Sequence, residues 1–310
     1  MRFPASNVLT DSINSDWNGH WDLLEFISDR TKFGFADFTI ERVFPFMSHV
    51  STDYELHWDS FSWWTLHFRK TWLFCIAVSI AYLVAIPLGQ KWMASRKAFE
   101  LKYPLFLWNL GLAIFSILGV IHVLPSFFYG LVANGPMYYI CRNAGASYGQ
   151  GPLGLWSIAF VLSKYAELID TAFLVLRKKS VPLLHWFHHA TVLLISVGSI
   201  MLHNPTGIIM IAMNYFVHSV MYSYYAIAAV ARPPKWGKFV TILQISQMVG
   251  GLIMCGGIYW GAATIENCDG HPRNAYGILF IYTSYLILFV RFYLGRYNSR
   301  PVKESFNKSE

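Results

Sequence analysis

Seven stretches of this chain are apolar over the length of a membrane crossing, at about 71 to 89, 105 to 130, 152 to 176, 182 to 202, 206 to 230, 239 to 262 and 275 to 295. About twenty such residues, wound as a helix, cross the hydrocarbon core of a bilayer. Inside that core every backbone N–H and C=O must be bonded within the protein, so only helices or closed barrels cross it. These runs are too long for barrel strands. The expectation is an all-α polytopic membrane protein with seven transmembrane helices. Composition agrees: 13% of the 310 residues are charged and 55% hydrophobic, against about 25% charged in a soluble domain. With no internal repeat, low-complexity tract or long linker, the chain reads as an N-terminal lumenal or interfacial segment (1–70), one helical domain (71–297) and a tail (298–310).

The formal net charge of +7 invites a nucleic-acid reading, but the basic residues lie in short clusters beside the apolar runs rather than along a soluble face. Lys91, Arg96, Lys97 and Lys102 follow the first run. Arg177, Lys178 and Lys179 follow the third, Arg232, Lys235 and Lys238 the fifth, and Arg296, Arg300, Lys303 and Lys308 the last. The alternate connections hold little beyond Arg142, His203, His271 and Arg273. The positive-inside rule therefore places the C-terminus in the cytosol and the N-terminus in a lumen or outside, with Arg69 and Lys70 outvoted. No basic start followed by an apolar core and a small-residue cleavage site occurs, so the first span is expected to serve as an uncleaved signal. Trp17, Trp21, Trp58, Trp63 and Trp64 fit either interfacial amphipathic helices or an ordered lumenal cap. Under this topology Cys141 and Cys268 share an oxidising compartment and are able to pair, whereas Cys75 and Cys255 read as core residues. The sequon at Asn307 falls on the cytosolic tail, where it would not be glycosylated.

Ionisable groups within spans carry the chemistry, because each costs on the order of 2.5–3.5 kcal/mol on insertion scales and needs a partner or a task. The third run contains Lys164, Glu167, Asp170 and Thr171, which share one face of a continuous helix. The fourth contains His185-Trp186-Phe187-His188-His189. The fifth contains Asn214, His218, Tyr222 and Tyr225, and the sixth Thr241, Gln244 and Gln247. Lys164 with Glu167 is open to a plain buried ion pair, and one glutamine to plain helix glue. Three imidazoles within about a turn are not served by packing, for which leucine is the better residue.

Two chemistries use such a box. Histidines at i, i+3 and i+4 suit iron, but a di-iron centre consumes many ligands, and of 11 histidines only His185, His188, His189 and His218 fall in the polar cluster; a metal site is disfavoured on that count. The alternative is nucleophilic and acid–base work by neutral imidazoles in a cavity of low dielectric constant. An imidazole nitrogen attacks a thioester to give an acyl-imidazole. Asp170 or Glu167 would then accept the other ring proton, and Asn214 with the helix-five tyrosines would donate to a developing oxyanion or enolate. Arg177, Lys178, Lys179 and Lys235 suit the phosphates of coenzyme A. No glycine fingerprint for ATP or a nicotinamide occurs, so no cofactor beyond the substrates is expected.

In order and spacing these motifs resemble the ELO fatty acid elongases: Lys164-x-x-Glu167-x-x-Asp170-Thr171, Phe173 through Lys179, His185-x-x-His188-His189, Asn214-x-x-Val217-His218-x-x-Met221-Tyr222-x-Tyr224-Tyr225 and Thr241-x-x-Gln244-x-x-Gln247. The likeness covers about residues 70 to 297. It implies a seven-helix bundle of the endoplasmic reticulum membrane that condenses acyl-CoA with malonyl-CoA to 3-oxoacyl-CoA, without a metal. On matching positions it implies His188 as the residue acylated and His218 as its partner across the cavity. His185, His189 and Asp170 take supporting roles, Lys164, Glu167, Tyr222, Tyr225, Gln244 and Gln247 lie toward substrate, and Cys141 and Cys268 form a lumenal disulfide. The box His-Trp-Phe-His-His is similar to the saturated and monounsaturated branch. Reductases and a dehydratase are the implied partners, and a homo-oligomer stays open. The tail departs from the dilysine ending of many members, with Lys308 third from the end. A seven-helix receptor or carrier shares the span count, but not a reason for the buried box.

Overall fold

A computed structural model describes residues 50–297 of the chain. Trp17, Trp21, Arg300, Lys303, Lys308 and the sequon at Asn307 lie outside the described residues. Within them all regular structure is helical. A short α1 (Asp53–Leu56) and the amphipathic α2 (Phe61–Lys70) lead into α3 (Trp72–Met93) and α4 (Lys102–Asn134). Two single turns, α5 (Tyr138–Cys141) and α6 (Ala144–Ser147), precede α7 (Gly151–Ala166) and α8 (Ile169–Leu176). Then come α9 (Leu183–Met201), α10 (Gly207–Val230), α11 (Gly237–Thr264) and α12 (Pro272–Tyr297).

Five of these helices, α3, α4, α9, α11 and Ala275–Tyr297 of α12, are long and apolar enough to cross a membrane. Their outward faces fit lipid: Leu73, Ile253 and Phe280 are 78%, 72% and 67% exposed, the reverse of what water selects over so large an apolar surface. The chain is thus a multi-pass helical membrane protein. The other two expected spans differ from the sequence reading in instructive ways. Helix α10 spans 24 residues but carries Asn214, Tyr215, His218, Tyr222 and four serines or tyrosines more, which lower its apolarity.

The expected third span is two helices rather than one. Between them the backbone tightens: Leu168 N–H donates to Tyr165 O, Asp170 N–H to Glu167 O and Thr171 N–H to Leu168 O, each across three residues. Such 3₁₀ turns advance about 120° per residue rather than 100°. The face shared by Lys164, Glu167, Asp170 and Thr171 in a continuous helix is therefore divided, and the division sends these side chains to different partners.

Packing is tightest between α4 and α10, with α11 against α12 next. The α4–α10 approach requires Gly119, because a Cβ there would lie 2.2 Å from the Tyr215 ring. Glycine is placed where backbones come this close. At one end of the bundle α1 and α2 pack against α7 and α9. The anchor is Glu55, which caps its own helix through Thr52 and accepts from Trp156 Nε1 on α7 at 2.9 Å. Trp58 is buried and Trp63 exposed. At that end Cys141 and Cys268 form a disulfide, the pairing the sequence allowed, and Cys75 and Cys255 are buried free thiols.

Candidate active site

A cavity of about 470 Å³ opens among α4, α8, α9, α10, α11 and α12, within the size range of small-molecule sites. Helix α9 starts directly after Pro182, whose missing N–H is no loss at a helix start. Its first two turns present His185, His188 and His189 to the cavity. Opposite, α10 contributes Asn214, His218, Tyr222 and Tyr225. Gln244 and Gln247 come from α11, and Phe289 and Phe292 from α12. The polar stripes inferred on three successive long helices thus converge on one space.

The histidines are held unequally. His185 Nε2 is hydrogen-bonded to Thr171 Oγ1 at 2.8 Å, and the same hydroxyl meets Tyr82 OH at 2.7 Å, tying α9 to α8 and α3. The His189 ring lies tilted at 4.5 Å from that of His185, and its buried Nδ1 has no hydrogen-bond partner among the described residues. The His188 imidazole lies 4.9 Å from the Tyr285 ring of α12. Among the described residues no hydrogen bond to the His188 ring occurs, which leaves its nitrogens to whatever enters the cavity. Tyr285 is fixed in turn by Thr191 Oγ1 at 2.6 Å.

Lys164 lies one layer behind. It is 1% exposed, donates to Glu167 Oε1 at 2.7 Å and to Asn214 Oδ1 at 3.0 Å, and sits 4.1 Å above the Phe160 ring. The Asn214 amide nitrogen is 3.2 Å from His218 Nε2, while Glu167 Oε1 is 3.8 Å from His218 Nδ1. An unbroken chain of contacts therefore runs from a buried ion pair to the histidine on α10.

Several expectations are corrected. Asp170 accepts from Trp108 Nε1 at 2.6 Å and from Tyr222 OH at 2.9 Å, not from a histidine, because the break after Ala166 turns it toward α4 and α10. Lys164 and Glu167 are not cavity-lining residues. Of the basic group after α8 only Arg177 lines the cavity. Lys178, with a left-handed φ of 53°, donates instead to Ala94 O and Arg96 O at 3.0 Å each and staples two connections together. Lys179 and Lys235 are exposed and outside the lining. Trp108, Tyr82, Thr191 and Tyr285 were not foreseen. Their only signal is a polar tip within an apolar run, and aromatic residues in a membrane helix seldom mark a site by that alone.

A multi-pass helical bundle with a histidine-lined cavity at its centre defines the class. The family model described as ELO: GNS1/SUR4 family matches residues 67–305. The chain is similar to Putative fatty acid elongase 4 of Caenorhabditis elegans, 38% identical over 250 residues, 78% of this chain and 84% of that protein. It is similar to Very long chain fatty acid elongase 6 of Mus musculus, 38% identical over 251 residues, 79% of this chain and 91% of that one. Very long chain fatty acid elongase 3 of Homo sapiens is 35% identical over 246 residues, 78% and 89% of the two chains. The chain belongs to the ELO family.

Proposed function

We propose that the protein is a 3-oxoacyl-CoA synthase of fatty acid elongation, condensing a long-chain acyl-CoA with malonyl-CoA. The observation that carries this reading is the placement of the His188 imidazole, free of hydrogen bonds among the described residues, across one cavity from Asn214 and His218. The relatives, named fatty acid elongases, supply the substrate class. A His188 ring nitrogen attacks the acyl thioester carbonyl, the C–S bond breaks and CoA leaves with a proton, giving an acyl-imidazole. Malonyl-CoA then loses carbon dioxide. The resulting enolate carbon attacks the acyl carbonyl, forms the new C–C bond and expels imidazolate, leaving 3-oxoacyl-CoA; the imidazolate takes a proton from water, which restores His188. A donor from Asn214, with His218 beside it, steadies the enolate oxygen, and Tyr222, Tyr225, Gln244 and Gln247 border the acyl chain. Arg177 is the cation placed for the carrier's phosphates, with Lys179 and Lys235 further out. No metal or redox cofactor enters this sequence of steps.

In this reading α7 with α8 counts as one crossing and α10 as another, which makes seven spans, with the basic connections and C-terminus cytosolic and the disulfide lumenal, in the endoplasmic reticulum. The box His-Trp-Phe-His-His supports saturated or monounsaturated substrates, and 3-oxoacyl-CoA reductase, 3-hydroxyacyl-CoA dehydratase and enoyl-CoA reductase activities would complete the cycle. Purified protein given radiolabelled malonyl-CoA and saturated acyl-CoAs should form labelled 3-oxoacyl-CoA. No product across a panel of chain lengths sinks the proposal.

A further inference from the structure

We infer that Lys164 is a positioning residue: it holds the Asn214 amide in one orientation and thereby fixes the proton of His218 on Nδ1. As part of the condensation the inference rests on the reaction proposed above; as a statement about the resting protein it does not.

The argument is one of donors and acceptors. A lysine ammonium carries three donors and no acceptor. Lys164 is buried, paired with Glu167 Oε1 at 2.7 Å, and 3.0 Å from Asn214. The atom of Asn214 that faces it must be the carbonyl oxygen, because the amide NH₂ there would set donor against donor. That fixes the other end. The NH₂ of Asn214 meets His218 Nε2 at 3.2 Å, and an amide nitrogen does not accept. His218 Nε2 is therefore the unprotonated, accepting nitrogen, and in the neutral ring the proton sits on Nδ1. Glu167 Oε1, 3.8 Å from that Nδ1, is an acceptor charge on the matching side. The same carboxylate thus restrains both ends of the relay.

The consequence is a division of labour between the two residues facing His188. With its Nε2 lone pair engaged, His218 presents no N–H on that nitrogen. Asn214 has two amide hydrogens and only one acceptor among the described residues, and it lines the cavity. Its second N–H is the oriented donor available to an enolate oxygen, with His218 as its orienting base. Lys164 contributes without touching the cavity.

The test uses the full chain in detergent micelles or nanodiscs. Nitrogen-15 NMR of ring-labelled histidine, with His218 assigned by its loss in His218→Gln, should show Nδ1 protonated and Nε2 bare. Asn214→Asp keeps the shape and gives Lys164 a second carboxylate, so the fold is retained, but that carboxylate accepts from His218 and should draw the proton to Nε2. Lys164→Met should leave the two tautomers mixed; if it does not fold, Lys164→Met with Glu167→Gln removes both buried charges and serves in its place. A proton on Nε2 in the unaltered protein, or one tautomer throughout the series, overturns the inference. In kinetics, Asn214→Asp should lower kcat for condensation by about 100-fold, the cost of one oriented donor. The KM for malonyl-CoA and the rate of CoA release from acyl-CoA alone should stay within about threefold. Equal loss in the acylation step overturns the division of labour. Absence of acylation in the unaltered protein removes the proposed reaction, and the NMR series still decides the tautomer.

Discussion

Tyr222 donates to one oxygen of Asp170 at 2.9 Å while Trp108 donates to the other at 2.6 Å, so this carboxylate clamps α8 to both α10 and α4 at the cavity wall. A clamp and a histidine orienter predict different mutants. Asp170→Asn should be mild, because the amide oxygen still accepts from the Trp108 indole and the amide nitrogen donates to the Tyr222 hydroxyl, which accepts as readily as it donates. Asp170→Leu strands two buried donors, each worth on the order of 1–3 kcal/mol. Thermal unfolding in detergent should rank the two variants in that order, and equal stability would show that the clamp carries nothing.

The same clamp shows what the sequence could and could not reveal. Residue types, spacing and apolar length placed His185, His188, Asn214, His218, Gln244 and Gln247 on facing helices, because 3.6-residue periodicity is a local property. The direction of Asp170 depends on a 3₁₀ turn between Ala166 and Ile169, and no proline or glycine announces it. It arises where Glu167 turns back to Lys164 and Ser163. Partner choice across helices, such as Trp108 for Asp170 or Tyr285 for His188, is a tertiary fact with no local signature.

The disulfide between Cys141 and Cys268 closes a stretch of 127 residues. Chain entropy alone gives such a link roughly 4–5 kcal/mol by restricting the unfolded state. Cys141→Ser and Cys268→Ser should each lower the thermal midpoint clearly, and the double variant should lower it no further than either single one. Gly261→Ala probes the same place by packing, since its Cβ would fall 2.9 Å from Cys141 Sγ. Non-reducing electrophoresis after partial proteolysis between the two cysteines reads the link directly; fragments that separate without reductant refute it.

Glu55 makes the attachment of α1 sensitive to pH. Burial pushes its carboxyl up, but the Thr52 backbone N–H, the Trp156 indole and the His122 imidazole together hold it below its usual value. A carboxyl whose folded pKa is depressed contributes stability that is complete above its unfolded pKa and is lost as pH falls through the folded value. Amide-exchange protection of residues 50–70 should therefore fall on acidification below the ordinary carboxylate range. Glu55→Gln should show lower protection at neutral pH with the acid-dependent part gone. Protection in the unaltered protein that does not change over that range contradicts the assignment.

Tyr285 ties the last helix to the nucleophile proposed here. Its hydroxyl meets Thr191 Oγ1 at 2.6 Å and lies 3.4 Å from the His188 carbonyl, while its ring forms a wall 4.9 Å from the imidazole. Two substitutions separate the tether from the wall. Tyr285→Phe keeps the ring and removes one buried hydrogen bond, about 1 kcal/mol of stability. Thr191 keeps its bond to Phe187 O at 2.5 Å, so no donor is stranded. Tyr285→Ala also removes the wall, at about 3–5 kcal/mol for a buried aromatic ring, and frees the His188 side chain to leave its attacking rotamer. Misplacement of a reacting group by an ångström costs about 100-fold in rate. Tyr285→Phe should thus acylate from acyl-CoA at nearly the unaltered rate, and Tyr285→Ala, assayed at low temperature where it remains folded, should be slowed about 100-fold. Intact-mass measurement of acylated protein over time distinguishes these outcomes, and a fast Tyr285→Ala would mean that His188 keeps its position without the wall.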